Sequence, residues 1–494
     1  MPSIRLSGAS FGYPGAEPLL RDLQVHLESG WYGLVGANGS GKTTLLRLLT
    51  GDLRPTSRAV ITQPEPCLVA LCEQAVDSPS ASVLELAVSY DRAAFRLQAR
   101  LDLEPAQLDR WSQLSPGERK RWQLAGALRA RPDVLLLDEP SNHIDGQCRA
   151  VMLSALQRYR GVGILVSHDR ALLDELTTTT LRLAHGQLSS YPGGYSAARQ
   201  VWLETRRQRE QDHDRLRSRE RVMRRKLADV RRNRSAAAGK LSASSRMKGP
   251  RDSDGRSVNA KGRVARAEAG LSRAVAIQRR SLERASAARE AVRLERVRGG
   301  AVYLDYQPPR KSRLLELRVA ELTAGNRRLA ADVAVRLERN TRLCITGRNG
   351  AGKTTLVREI LAGLNVPTER VLYLPQELDV EDGELLMAAV EIMRPEIRTR
   401  VLHIADALGL DPNRVLAGGP LSPGELRKLA IALGLGRHVW VAVLDEPSNH
   451  LDLPSIERLQ TALDSFPGAL VLVSHDQELV RGLLGDSGVE VTLP

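Results

Sequence analysis

Two copies of one glycine-rich pattern stand far apart in the sequence, GANGSGKTT at residues 36–44 and GRNGAGKTT at residues 347–355. Each copy follows a β-like segment and precedes an apolar, helix-like one, which is the order that a phosphate-binding loop requires. Glycines let backbone N–H groups surround an anion at a helix N-terminus, where the helix dipole also favours negative charge. Lys42 and Lys353 are therefore predicted to reach the β and γ phosphates of a nucleoside triphosphate. The predicted nucleotide-binding residues of these loops are Gly36, Asn38, Gly39, Gly41, Lys42, Thr43 and Thr44, and Gly347, Asn349, Gly350, Gly352, Lys353, Thr354 and Thr355.

A pair of adjacent carboxylates ends each of two apolar segments, VLLLDE at 134–139 and VAVLDE at 441–446. These segments are typical of buried parallel strands. A carboxylate at a strand end can hold a metal ion beside the phosphates, and its neighbour can polarise a water for attack on the γ-phosphoryl group. In isolation, such a pair could simply start the next loop. The predicted Mg²⁺ ligands are Thr43, Asp138, Thr354 and Asp445, and the predicted catalytic carboxylates are Glu139 and Glu446.

Two shorter repeats accompany these motifs. The segment Ser-Pro-Gly-Glu occurs at 115–118 and 422–425 and has the spacing of a helix capping box, with proline at the first helical position. A capped helix N-terminus can also bind a phosphate, so Ser115, Gly117, Ser422 and Gly424 are predicted to contact the nucleotide. A histidine at a predicted strand end is more often structural, but His168 and His475 recur in step with the other motifs. They are predicted to contact the γ phosphate.

The motifs divide the chain of 494 residues into two similar halves. The glycine-rich segments are offset by 311 positions, and the three later motifs by 307. A tandem duplication around an insert explains both offsets. The predicted fold is α/β, with nucleotide-binding domains at 1–196 and 312–494 and a linker at 197–311.

Composition excludes several classes of protein. No run of 18 uncharged apolar residues occurs, and residues 1–30 do not resemble a signal peptide. A cytoplasmic location without membrane contact is predicted. The four cysteines, Cys67, Cys72, Cys148 and Cys344, show no paired spacing, which argues against a disulfide framework and a zinc site.

The net charge of +14 is concentrated in the linker, because residues 201–300 contain 29 Lys and Arg against 12 Asp and Glu. Residues 198–232 and 262–299 lack proline and carry apolar side chains at helical spacing, which predicts an antiparallel helical hairpin. A basic tip loop is predicted at 233–261. A solvated linker would also be charged, but this concentration favours a polyanionic partner. No aromatic residue lies between Leu203 and Val302, so phosphate contact with structured RNA is preferred over base stacking.

The set of motifs resembles the ATP-binding cassette family over both halves of the chain. The resemblance implies Mg²⁺-dependent ATP hydrolysis and two cassettes packed head to tail, as an intramolecular cassette dimer within a monomer. Each ATP would then lie between the phosphate loop of one cassette and the Ser-Pro-Gly-Glu signature of the other. The resemblance adds Gln74 and Gln376 as catalytic glutamines and Tyr13 as the residue that stacks on adenine. The sequence departs from the family where Pro116 and Pro423 replace the usual glycine, and where the second half, LTAGNRR at 322–328, has no counterpart of Tyr13.

Two cassettes on one chain, the string EPSNH[IL]D and a long charged linker resemble the F subfamily of these proteins, which acts on ribosomes. The segment YPGGYS at 191–196 strengthens this resemblance. It implies a partner in the ribosome, with the hairpin reaching from the exit-site side of the 50S subunit towards peptidyl-tRNA and 23S rRNA. The tip residues predicted to contact the ribosome are Arg234, Lys240, Arg246, Met247, Lys248, Arg251 and Arg256.

A long tip is typical of subfamily members that protect ribosomes from antibiotics. Members that regulate ordinary translation tend to carry an extra arm in the first cassette, for which the 40 residues between Gln74 and Ser115 are too few. Ribosome protection is therefore the leading hypothesis. A housekeeping translation factor, the ATPase subunit of a drug exporter and a DNA-handling ATPase remain alternatives. The sequence does not identify the drug.

Overall fold

The computed structural model describes residues 1–141, 144, 146–241, 258–291, 306–324, 327–348, 350–485 and 488–493. The chain forms two compact units. One unit contains Met1–Ala198 together with Arg298–Pro494 and includes both predicted cassettes, and the other contains Arg199–Val297. No helix in the described part of the chain is long and apolar enough to cross a membrane.

The first cassette and the second cassette contain similar series of elements. In chain order, the first has β1 (Ser3–Phe11), β2 (Leu20–Leu27), β3 (Gly30–Val35), α1 (Lys42–Thr50), β4 (Ser57–Gln63), β5 (Val69–Cys72), α2 (Ala81–Ala87), α3 (Arg92–Arg100), a 3₁₀ helix (Pro105–Gln113), α4 (Pro116–Arg129), β6 (Val134–Asp138), α5 (Gly146–Leu156), β7 (Val162–Val166), α6 (Arg170–Leu176), β8 (Thr179–Ala184) and β9 (Gln187–Pro192). The linker contributes α7 (Tyr195–Leu241) and α8 (Val258–Ala291). The second has β10 (Arg313–Ala324), β11 (Arg327–Glu338), β12 (Arg342–Gly347), α9 (Lys353–Gly363), a 3₁₀ helix (Thr368–Arg370), β13 (Val371–Leu374), α10 (Val380–Glu391), α11 (Pro395–Ala407), α12 (Pro412–Leu416), α13 (Pro423–Gly436), β14 (Val441–Asp445), α14 (Leu453–Asp464), β15 (Ala469–Val473), α15 (Gln477–Leu484) and β16 (Val489–Leu493).

Each cassette is built on a central, largely parallel sheet. The strand order is β5-β6-β7-β3-β8-β9 in the first and β13-β14-β15-β12-β16 in the second. Smaller antiparallel sheets, β2-β1-β4 and β10-β11, accompany them. The predicted α/β fold with two tandem cassettes is confirmed.

Strand order explains why the motifs meet. Strands β6, β7, β14 and β15 are buried along their whole length, as expected for apolar strands covered on both faces. In each sheet the strand that ends in the carboxylate pair and the strand before the phosphate loop flank the strand that ends before the histidine. Because all three run parallel, their carboxyl ends lie at one edge of the sheet, where ligands bind in such folds.

The linker unit is helical over most of its described length, and its two helices are in contact. Glu220 of α7 is 3% exposed and pairs with Arg224 at 2.7 Å and with Arg289 of α8 at 3.1 Å. Leu227 on α7 is also buried, as its place in the predicted apolar series requires. The predicted helical arms are therefore present as far as Ala291, and residues 292–299 of the second predicted arm lie outside the described residues.

The predicted boundaries of the tip at 233–261 are wrong at both ends. Helix α7 continues to Leu241, and α8 already begins at Val258. The segment NRSAAAGKL at 233–241 contains three consecutive alanines and no proline, and alanine has the highest helix propensity. The Ser, Gly and Asp residues of 233–261, on which the predicted loop rested, do not prevent helix formation at its two ends.

Candidate functional site

The two phosphate loops have the same backbone geometry. Gly41 and Gly352 precede α1 and α9 with φ of 101° and 97°, a left-handed conformation that glycine adopts without steric cost. The Nζ of Lys42 donates to Gly36 O at 2.9 Å, and the Nζ of Lys353 donates to Gly347 O at 2.8 Å. Each loop thus closes around the ammonium group of its own lysine. Asn349 of the second loop lies outside the described residues.

The residues predicted to hold a metal ion are brought together in both cassettes. The hydroxyl of Thr43 donates to Asp138 Oδ2 at 2.7 Å, and that of Thr354 donates to Asp445 Oδ2 at 3.0 Å. Hydroxyl and carboxylate oxygens are the ligands that Mg²⁺ prefers, and in nucleotide sites substrate phosphates and water complete its coordination. These pairs therefore fit Mg²⁺ bound together with a nucleotide.

Glu139 and Glu446 occupy a strained and buried position. Their φ values are 49° and 47°, which is uncommon for residues other than glycine and is often found at functional sites. Their backbone N–H groups donate to Val166 O and Val473 O, which holds each residue against the neighbouring strand. Burial raises the pKa of both carboxyl groups to about 7. A carboxylate with a pKa near neutrality is suited to accept a proton from water.

Each catalytic carboxylate contacts the histidine loop of its own cassette. The backbone N–H of His168 donates to Glu139 Oε2 at 3.1 Å, and that of His475 donates to Glu446 Oε2 at 3.4 Å. The His168 side chain is also close, with Nε2 at 3.1 Å from Glu139 Oε1. Burial and the nearby Lys42 lower the pKa of His168 to about 4, so its imidazole is neutral at pH 7. A neutral imidazole can donate one hydrogen bond to a phosphate oxygen.

Two cavities lie between the cassettes, and each combines the motifs of both. The Lys42 cavity, of about 440 Å³, places Lys42, Gln74 and Glu139 opposite Ser422 and Gly424 of the second cassette. Also lining it are Asn38, Gly39, Gly41, Thr43, Thr44, Asp138 and His168. The phosphate loop of the first cassette therefore faces the signature of the second, as the head-to-tail arrangement predicts.

The Lys353 cavity, of about 780 Å³, also contains residues of both cassettes, but the predicted contact residues Ser115 and Gly117 do not line it. Lys353, Gln376 and Glu446 line it from the second cassette, and Pro116 lines it from the signature of the first. Further lining residues are Gly350, Gly352, Thr354, Thr355, Asp445 and His475. Both predicted catalytic glutamines therefore lie in the cavities to which the sequence assigned them.

Both signature segments form the predicted capping boxes. The Ser422 Oγ accepts from Glu425 N at 3.4 Å, and the Ser422 N–H donates to Glu425 Oε2 at 2.9 Å. Ser115 and Glu118 form the same pair of hydrogen bonds. Pro116 and Pro423 occupy the first helical position, where the missing N–H has no intrahelical partner in any case. A Cβ on Gly424 would lie 2.5 Å from His450 O, and a Cβ on Gly117 would lie 3.3 Å from Cys148 Sγ.

The first phosphate loop is hydrogen-bonded directly to the second cassette. Asn38 N–H donates to Asp452 Oδ2 at 2.8 Å, and its side-chain amide donates to His450 O at 3.0 Å. His450 and Asp452 were not identified as site residues from the sequence. Both residues belong to the repeated string EPSNH[IL]D. This repetition could have identified them as site residues, but the string served only as a mark of the F subfamily.

Two buried cations beneath the cavities were also missed. Arg427 is 1% exposed and donates to the carbonyl oxygens of Glu446, at 2.8 Å, and Gln376. Lys120, at the equivalent position of the first cassette, donates to Glu73 O next to Gln74. Both follow a signature serine by five residues, and the sequence analysis considered only the first four residues of each signature helix segment.

Tyr13 lies beside the first phosphate loop. Its ring makes an edge contact with Phe11, with centroids 5.1 Å apart. Its hydroxyl lies 3.3 Å from Thr44 Oγ1, and 47% of the residue is exposed. Stacking of Tyr13 on adenine stays a prediction.

The predicted tip residues divide into two groups. Arg234 is exposed on α7, and Lys240 lies within the same helix. Arg246, Met247, Lys248, Arg251 and Arg256 lie outside the described residues.

Comparison with known proteins supports the same interpretation. A family model described as "ABC transporter" matches residues 20–142 and 330–449. The tylosin resistance ATP-binding protein TlrC of Streptomyces fradiae is 30% identical over 90% of each chain. The ribosome protection protein VmlR of Bacillus subtilis is 28% identical, over 93% of this chain and 83% of its own. The energy-dependent translational throttle protein EttA of Haemophilus influenzae is 27% identical, over 94% and 87%.

Among solved structures, one titled RNase-L Inhibitor covers 97% of this chain with a TM-score of 0.59 at 22% identity, and this chain covers 86% of it. At that identity the likeness extends to the fold alone. The sequence relatives and the two composite nucleotide sites together carry the assignment. The chain belongs to the ATP-binding cassette family, as an ATP hydrolase of its F subfamily.

Proposed function

We propose that this protein binds the ribosome and protects it from an antibiotic, with ATP binding favouring docking and hydrolysis favouring release. The observation that carries the proposal is the similarity to TlrC, a tylosin resistance protein, over nine-tenths of both chains. VmlR, a ribosome protection protein, is similar over a comparable length. A protein with this function acts in the cytoplasm, where the ribosomes are.

The nucleotide sites suggest how ATP would control docking. Each cavity contains residues of both cassettes, so a bound ATP contacts both and favours their closed arrangement. A ligand shifts a conformational equilibrium by its difference in affinity for the two states. Loss of the γ phosphate removes the contacts to the opposite signature and so weakens the closed state.

The chemical step follows from the arrangement of the side chains. Glu139 or Glu446 takes a proton from a water whose oxygen attacks the γ phosphorus, while the bond to the bridging oxygen of ADP breaks and inorganic phosphate forms. Lys42 or Lys353 neutralises charge on the phosphates, and Gln74 or Gln376 orients the water. The threonine and aspartate pairs would hold Mg²⁺, which would supply further charge neutralisation at the phosphate oxygens.

The linker is the part of the chain proposed to contact ribosomal RNA. It contains most of the excess positive charge, and helix α7 alone is 47 residues long. At about 1.5 Å per residue, such a helix extends roughly 70 Å. Phosphate contacts to 23S rRNA and peptidyl-tRNA would use arginines such as Arg234, which is exposed.

A housekeeping role in translation is the second candidate, because EttA, a translational throttle protein, is nearly as similar. A test of drug susceptibility separates the two. Cells that express the wild-type protein should tolerate a higher concentration of at least one antibiotic that binds the large ribosomal subunit. The matched control is the Glu139→Gln, Glu446→Gln variant, which should bind ribosomes with ATP, fail to hydrolyse ATP and remain in the ribosome pellet. Protection against no such drug, with an altered translation rate instead, would support the housekeeping role.

A further inference from the structure

One inter-cassette contact is not explained by nucleotide binding. Arg170 is the first residue of α6 and is 7% exposed. Its guanidinium reaches the second cassette, where it donates to Gln460 Oε1 at 3.0 Å. It also lies 3.4 Å from Glu478 Oε2 and 3.8 Å from Asp476 Oδ2. A buried guanidinium from one cassette therefore faces two carboxylates of the other.

The carboxylate Asp476 is part of the histidine loop of the second cassette. It directly follows His475, and its Oδ1 accepts from the N–H groups of Glu478 and Leu479, both at 3.0 Å. These bonds cap α15 and fix the segment that carries His475. The N–H of His475 in turn donates to Glu446. A charge beside Asp476 therefore acts on the catalytic end of the Lys353 cavity.

In the first cassette, the arginine beside the equivalent aspartate comes from the same cassette. Asp169, the equivalent of Asp476, accepts from Arg149 Nε at 2.7 Å, and Arg149 belongs to the same cassette. With the offset of 307, the residue equivalent to Arg149 is Ile456, which is 1% exposed. The residue equivalent to Arg170 is Gln477. The arginine beside the capping aspartate comes from the same cassette in one half and from the opposite cassette in the other.

We propose that Arg170 is a positioning residue for ATP hydrolysis at the Lys353 site, acting from the other cassette through Asp476 on the loop that carries His475. The proposal rests on the hydrolysis proposed above for Glu446 and on the predicted contact of His475 with the γ phosphate. It makes the Lys353 site dependent on contact between the cassettes in a way that the Lys42 site is not, because Asp169 keeps Arg149 whether or not the cassettes are in contact. Closure of the cassettes then brings an arginine to the histidine loop of the Lys353 site, whereas the histidine loop of the Lys42 site already has one.

The experiment measures ATP hydrolysis by the free full-length protein with one site active at a time. Glu139→Gln leaves only the Lys353 site active, and Glu446→Gln leaves only the Lys42 site active. In the first background, Arg170→Met should lower kcat about tenfold, the equivalent of about 1.4 kcal/mol in the barrier, with little change in KM for ATP. In the second background, Arg170→Met should change kcat less than about twofold. Arg170→Lys, which retains the charge, should recover part of the lost rate.

Asp476→Asn provides a second variant, because asparagine can still cap α15 but has no charge. It should lower kcat at the Lys353 site to a similar extent, and its combination with Arg170→Met should cause little further loss. Thermal unfolding checks that each variant is folded. If Arg170→Met is unfolded, Arg170→Lys replaces it in the comparison of the two sites. An equal loss at both sites, or no loss at the Lys353 site, overturns the proposal. His475→Ala in the Glu139→Gln background separates the two hypotheses, since full activity there contradicts the proposed role of His475 rather than the contact made by Arg170.

Discussion

At the scale of single residues, Glu139 and Glu446 are held where their charged forms are disfavoured. Burial raises the pKa of each from 4.5 to about 7. The folded protein therefore retains protons between pH 4.5 and 7 that the unfolded chain has released, so its stability falls as pH rises through this window and stays lower above it. Lysines 42 and 353 offset only part of this cost, because burial is the larger effect.

We expect the Glu139→Gln, Glu446→Gln variant, free of nucleotide, to be more stable than the wild-type protein at pH 8. The gain should be on the order of 3 kcal/mol for each site, since the shift from 4.5 to about 7 corresponds to about 1.4 kcal/mol per pKa unit, and it should be much smaller at pH 5. Thermal unfolding at the two pH values measures it. Glu85→Gln, at an exposed position, is the control and should show no such dependence. An equal gain at both pH values would contradict the role of burial.

Tyr13 should make the two nucleotide sites unequal. Removal of its ring by Tyr13→Ala should weaken ATP binding at the Lys42 site about tenfold, within the range of 1–3 kcal/mol for a base stacked on an aromatic side chain. Binding at the Lys353 site should be unaffected. Titration of variants with one phosphate loop disabled by Lys353→Ala or Lys42→Ala measures each site. Tyr13→Phe keeps the ring and loses only the hydroxyl near Thr44, so it should bind ATP nearly as well as wild type, and a tenfold loss there would exclude stacking.

At the scale of elements, the features predicted well from the sequence are those encoded within a few adjacent residues. The capping boxes, the glycine-rich loops before α1 and α9, and the buried strands before the carboxylates all depend on local spacing. The contact of Arg170 with Asp476 depends instead on how two cassettes pack, and no spacing in the sequence encodes it. The end of α7 at Leu241 was missed for another reason, because alanine propensity and loop-forming residues pointed in opposite directions.

The signature helices allow the cap and the ligand contact to be separated by substitution. Ser422→Ala removes the cap of α13 and should destabilise the protein by about 1 kcal/mol. Ser422→Asp retains an acceptor for the Glu425 N–H and should restore most of that stability. Both variants should lower hydrolysis at the Lys42 site, measured in the Glu446→Gln background. Ser422→Ala removes the hydroxyl that is predicted to contact ATP, and Ser422→Asp places a negative charge in the Lys42 cavity. Recovery of hydrolysis by Ser422→Asp would show that Ser422 only caps the helix.

At the scale of the whole molecule, the start of the linker helix is held by both cassettes. The hydroxyl of Tyr195, in the first turn of α7, donates to Glu457 Oε1 of the second cassette at 2.6 Å. The next residue, Ser196, donates from its backbone to Asp174 of the first cassette at 2.8 Å. A change in the spacing of the cassettes therefore acts directly on the first turn of this helix. These contacts would connect the proposed ATP-driven closure to the first turn of α7.

The segment between the two linker helices should decide protection without deciding ATP hydrolysis. Residues 242–257 carry four Lys and Arg against two Asp and Glu, so phosphate contacts there should contribute to ribosome binding and weaken as salt rises. Replacement of residues 242–257 by a short Gly/Ser turn should abolish resistance, because the chain is then too short to approach the drug site. It should reduce ATP-dependent ribosome binding only in part, since the contacts proposed for the cassettes and helices would remain, and it should leave hydrolysis by the free protein nearly unchanged.

A Gly/Ser segment of equal length separates the effect of length from that of charge. If the basic side chains matter, this second variant should also lose protection and should show a shallower dependence of ribosome binding on salt, because fewer phosphate contacts release fewer counterions. Drug susceptibility, ribosome pelleting at two salt concentrations and hydrolysis by the free protein are the three measurements. If both variants still protected translation from every drug that the wild-type protein resists, the segment would act only as a connection between helices, and the proposed mechanism of protection would lose its support.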